Sequence, residues 1–155
     1  MAALESAEFL PENYHVHICG FGNSLKIKNQ IKTIAERSLA TLTFEGELKG
    51  EDYKNFIQKC HIGLSTQNPS AAFNDTSFPS KILVYLANGL KVVSIRISVV
   101  EKSALSDLVF FYDTQTPNDL AKAIISANQG GQVDGISILK ELDKNFELNL
   151  CNILI

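Results

Sequence analysis

The feature that most narrows the fold is a strict alternation. Five short β-prone runs are separated from one another by helical runs, and no two are joined by a hairpin turn. Residues 14–19 alternate and stop at Gly20-Phe21-Gly22. Ser24 stands where a cap would stand, before a stripe of Leu25, Ile27, Ile31, Ile34 and Ala35. Residues 40–44 are β-branched, 50–59 helical with Tyr53, Phe56 and Ile57 on one side, and 61–65 form a short apolar run. A polar loop, 66–77, leads to a helix opened by Pro79 and stopped by Asn88-Gly89. Strands over 90–95 and 108–112 flank a helix over 99–105, and helices follow from Pro117 and from Gly135. A short helix over 2–10 precedes everything. Such an order predicts one α/β domain over residues 1–155, with a three-layer, doubly wound parallel sheet of five strands and a closing helix over about 135–155. In such sheets ligands sit outside the carboxyl ends of the strands, so the loops at 20–24, 45–49 and 66–77 are the candidate site.

Composition excludes several classes of function. Fourteen Lys and Arg against 17 Asp and Glu give a net charge of −3, so no basic excess exists for nucleic acid. The most apolar stretch, 90–100, is broken by Lys91 and Arg96 and is too short to span a bilayer. The first residues lack a basic, then apolar, leader pattern, and the three scattered cysteines, Cys19, Cys60 and Cys151, suit a reducing compartment; a cytoplasmic protein is expected. His15 and His17 share one face of a strand without a third ligand at a supporting spacing, so no metal is expected. No Gly-x-Ser-x-Gly elbow anchors a hydrolase triad. Lys26, Lys28 and Lys32 form a mildly basic helix face that leaves peripheral membrane contact open.

The most informative stretch runs from Phe73 to Ser94. A polar loop meets a helix whose first turn carries Ser80 and Lys81, and its free N–H groups with half a positive charge form a seat for phosphate. The competing reading is structural, with Ser77 merely capping the helix and Lys81 solvated. Three pieces in order resemble the donor-binding, carboxyl-terminal domain of two-Rossmann-domain (GT-B type) glycosyltransferases. They are Gly20-Phe21-Gly22, Phe44-Glu45-Gly46, and Phe78-Pro79-Ser80-Lys81-Ile82-Leu83-Val84-Tyr85-Leu86-Ala87-Asn88-Gly89 with Val92-Val93-Ser94. The resemblance covers about residues 8–127.

It implies a Rossmann-like fold and a nucleotide-sugar, UDP- or GDP-linked, as donor substrate, with no cofactor or metal. Gly20 and Gly22 would let the backbone pass close to the donor, and Phe44, Glu45 and Gly46 would lie along the base. Ser80 and Lys81 would hold the diphosphate, and the loop with Asn74, Thr76 and Ser77 would face the sugar. Two departures stand out. Val84 and Thr76 occupy positions where many members carry glutamates, the first of which grips the ribose. The family's first strand, its phosphate loop and its amino-terminal acceptor domain have no counterpart here, so this chain alone is not expected to turn over a donor. The expected function is the donor-binding half of a glycosyltransferase for a glycan or lipid-linked acceptor in surface polysaccharide biosynthesis. The alternatives are an inactive remnant or a non-catalytic flavodoxin-like interaction domain. The lost central strand is expected to be made good either by closure into a 2-1-3-4-5 order or by a segment from a second copy in a domain-swapped homodimer.

Overall fold

The computed structural model describes residues 2–21, 24–75 and 77–154. A short helix α1 (Ala2–Glu5) continues as a 3-10 turn (Ser6–Phe9) and leads to β1 (His15–Cys19). Then follow α2 (Ser24–Ala35), β2 (Thr41–Gly46), α3 (Gly50–Ile57) and β3 (Ile62–Ser65). After a second 3-10 turn (Ala72–Asp75) come α4 (Ser80–Ala87), β4 (Lys91–Ile95) and α5 (Ser98–Glu101). The chain ends with β5 (Val109–Tyr112), α6 (Pro117–Gln129) and α7 (Gly135–Leu154). Element order and type follow the sequence pattern closely. The helix expected over 99–105 shrinks to the single turn of α5, followed by a 3-10 turn at Ser106–Leu108.

Every strand pairing is parallel, but the five strands do not form one sheet. β1 pairs with β2, and β3, β4 and β5 pair in that order as a separate sheet. The expected single five-stranded sheet, and its closure as 2-1-3-4-5, are therefore corrected. The helical layer spans the interruption: α1 and its 3-10 extension pack between α2, which covers the two-stranded sheet, and α6, which covers the other. Ser6, Ala7 and Leu10 are buried there.

The core centres on the three-stranded sheet. β4 has a strand on each edge and helices on both faces, and Val92, Val93, Ser94 and Ile95 are buried. Ile82 and Leu86 of α4, Val100 of α5 and Leu120 of α6 complete it, all below 2% exposed. Leu86 touches Gly135, where an added Cβ would come within 2.9 Å, so that glycine lets α7 begin against α4. Gly89 ends α4 with φ +79°, the left-handed stop that Asn88-Gly89 announced. Pro117 opens α6 at its first position behind Thr116, whose hydroxyl accepts from Asp119 N–H. Among the described residues no helix is long and apolar enough to cross a membrane.

Candidate functional site

The first of the three loops leaves β1 through Gly20. Gly20 N–H donates to Gly46 O across 2.8 Å, which ties the end of β1 to the end of β2 just beyond a bulge at Ile18/Cys19. The two glycines exist for different reasons. Gly46 sits at φ +74°, where a side chain is strained, and so serves the turn. Gly20 has no such φ, and nothing lies within 4 Å of where its Cβ would be. Neither backbone nor packing requires a glycine there, which leaves open ground beside the backbone. We expect Gly20→Ala to leave stability within about 0.5 kcal/mol of the parent. Gly46→Ala should cost about 1–2 kcal/mol, and urea denaturation of the two variants measures the difference. Phe21, next in the chain, is 83% exposed, and Gly22 lies outside the described residues.

The second loop leaves β2 through Phe44, Glu45 and Gly46. Phe44 and Glu45 point to opposite faces by strand alternation. Glu45 is already partnered: His17 Nδ1 donates to its Oε1 at 2.7 Å. His15 Nε2 lies 2.6 Å from Thr43 Oγ1, the two imidazoles stack at 3.8 Å, and Phe56 of α3 meets His17 edge-on at 5.4 Å. Partial burial, and then the neighbouring His17, push the His15 pKa down. The pair noted as sheet-face histidines is thus a small polar cluster in which Glu45 orients a histidine. Cys19 and Cys60 are free, and burial, followed by the charge of Glu45, raises both thiols above their usual range. They are therefore not activated as nucleophiles. Among the described residues no group of three or more His, Cys, Asp or Glu is placed to hold a metal.

The third loop is held from inside by Asn74, which is only 3% exposed. Its amide donates to Asn68 O at 2.7 Å and Pro69 O at 3.0 Å, and its oxygen accepts from Gln67 Nε2 at 2.7 Å. Gln115 Nε2 donates to Gln67 O and so joins this loop to the one after β5. Asn74 thereby shapes the loop with a side chain whose groups are already used. Thr76 lies outside the described residues, and Ser77 is exposed. The helix cap at α4 is Pro79, without a side-chain cap hydrogen bond, so the capping role considered for Ser77 is not the one seen. Ser80 and Lys81 are exposed in the first turn, where the backbone N–H groups of a helix lack intrahelical partners. Val84 is 37% exposed on the same helix.

The three loops thus present open space at Gly20, the exposed ring of Phe21, and exposed Ser80 and Lys81 in the first turn of α4. Two depressions lie elsewhere. An open groove of about 700 Å³ runs along α2 and α1 past Leu25, Asn29, Ile34 and Arg37. A hollow of about 200 Å³ sits at the amino ends of β3 and β4, by His61, Gly89 and Lys91. There Lys91 Nζ donates to Ala127 O and Gly130 O, satisfying the end of α6. On β5, Tyr112 carries a buried hydroxyl without a partner among the described residues, and burial pushes its pKa up to about 12.

Sequence reasoning did not single out Phe21 or the His17–Glu45 contact. Phe21 stands in the middle of the Gly-Phe-Gly motif and was legible as an aromatic with no helix or strand to bury it. The pairing of His17 with Glu45 depends on strand register, which residue order alone does not express. No family model and no curated protein matches this chain.

Proposed function

We propose that the chain is a nucleotide-diphosphate-binding α/β domain, the donor-binding half of a metal-independent glycosyltransferase that uses a UDP- or GDP-linked sugar. One observation carries this reading. At the carboxyl ends of parallel strands, Gly20 leaves open space beside its backbone, and α4 presents Ser80, Lys81 and the N–H groups of a first turn without a side-chain cap. Diphosphate binds through backbone N–H groups, a hydroxyl and a cation, which are the groups found in that first turn. The same positive end would stabilise a leaving nucleotide diphosphate without a metal. Transfer needs an acceptor held against the donor, and the acceptor domain would be a separate unit. The chain's part is then to bind and orient the donor.

A second reading, an inactive remnant that serves as an interaction module, draws support from the interruption between β1 and β3 and from Val84, which offers no acceptor for a ribose hydroxyl. Calorimetric titration with UDP, GDP and ADP separates the two. The donor-domain reading expects saturable binding of one nucleotide, weakened about 10–100-fold in Lys81→Ala by loss of one charge-assisted hydrogen bond. Absence of heat at millimolar concentrations of all three nucleotides would leave the remnant reading standing.

A further inference from the structure

The layer of strands breaks between β1 and β3, and the backbone shows which groups are left open. β1 has β2 on one edge and β3 has β4 on one edge; neither has a strand on its other edge among the described residues. In a strand, the N–H and C=O of one residue point toward the same edge and those of the next residue toward the opposite one. Tyr14 O accepts from Thr41 N–H and Gly20 N–H donates to Gly46 O, so the even-numbered residues of β1 serve β2. His15, His17 and Cys19 therefore direct their backbone groups to the free edge. His61 O accepts from Lys91 N–H, so in β3 the groups of Ile62 and Leu64 point to the free edge.

Helices cover this break on both faces. α1 and its 3-10 extension bridge α2 and α6 on one face. On the other, the Tyr85 ring of α4 lies against Gly63 of β3, and Tyr53 of α3 and Cys19 of β1 are among the neighbours that hold its phenol pKa up. β1 and β3 do not pair, and two inter-strand spacings of about 4.8 Å, the room for one strand, match the roughly 10 Å width of the bridging helix. The flanking residues are incompletely covered: Val16, Ile18, Ile62 and Leu64 are only half-buried, whereas four of the five residues of β4 are buried. β1 and β3 carry no Lys, Arg, Asp or Glu, so a charged occupant would find no counter-charge on either strand.

We propose that the slot between β1 and β3 is a docking site for one extended, uncharged, apolar segment of a partner polypeptide, which joins the two sheets by strand addition. Only an extended backbone offers donors and acceptors to two facing strand edges at once. A second copy of this chain is a poor source, because its five strands are already in ladders and α7 is helical.

The test uses the intact chain and, as probe, a capped peptide with the sequence of residues 92–95, the uncharged stretch of this protein's own two-sided central strand. Amide exchange by NMR should show His17, Cys19, Ile62 and Leu64 exchanging readily in the free chain. With peptide they should slow about tenfold or more, while the outer edges of β2 and β5 stay unchanged. A control peptide with proline in place of the residue matching Val93 should have no effect. The proposal is overturned by protection confined to β2 or β5, or by no protection at millimolar peptide. It is equally overturned if those four amides are already slow in the free monomer, or become slow with chain concentration alone, which would assign the slot to a second copy.

Discussion

Gly63→Val is expected to destabilise the domain by about 3 kcal/mol, or to prevent folding. A Cβ at Gly63 would lie 2.3 Å from Cγ and Cδ2 of Tyr85 and 2.8 Å from Cδ1, well inside contact distance. The ring cannot turn aside cheaply, because burial, with Tyr53 beside it, hems it in against the strand. Burial and that neighbouring tyrosine hold the Tyr85 phenol well above its usual pKa, as befits a ring wedged between α3, α4 and β3. Overpacking commonly costs 1–3 kcal/mol, and valine adds two methyl groups beyond the clash. For a domain of this length the melting temperature should fall by roughly 10 °C. The cause is separable from a general loss of fold. Tyr85→Ala should itself destabilise, yet Gly63→Ala in that background should cost less than about 0.5 kcal/mol, since φ at Gly63 is ordinary and the ring is gone. Equal costs in the two backgrounds, read by urea denaturation, would contradict the packing account.

Asn74→Ala should loosen the third loop more than the domain. Three hydrogen bonds converge on one buried carboxamide, and alanine would strand Asn68 O, Pro69 O and the Gln67 amide together. A net value near 1 kcal/mol for each bond gives a local loss of about 2–4 kcal/mol. No β-ladder runs through this loop, so the loss should appear as local opening. Amide exchange at Ala71 and Asn74, whose N–H groups donate to Asn68 O and Ala71 O, should rise roughly 30–1000-fold. β4 should be unaffected. The loop leads directly into Ser80 and Lys81, so nucleotide affinity should fall in the same variant if the donor-domain reading holds. A loop unchanged in exchange would show that Asn74 does not organise it.

These two residues mark what could be read in advance. Asn74 was legible as a member of an interesting loop, and its polarity suggested a ligand; its burial turns that polarity inward. Gly63 drew no attention, because a glycine in a short strand has the same letter whether it faces solvent or a tyrosine ring. Elsewhere local signals sufficed. Gly89 ends α4 and Pro117 opens α6 because left-handed φ and a missing N–H are properties of single residues. Glu45 shows the boundary between the two cases. Its place at the end of β2 follows from periodicity, but its bond to His17 follows from strand register, which sets His17 opposite Thr43 and so diagonal to Glu45.

Element order and the parallel class of the strands were thus determined by the sequence, because periodicity and the φ preferences of glycine and proline act within a few residues. The division into two sheets was decided only in three dimensions. Five β runs in a row imply one sheet so long as strands are counted alone. β1 and β3 end up in separate ladders, with the α1 segment packed between α2 and α6 across the interruption. That arrangement involves residues far apart in the chain, and no local pattern contains it.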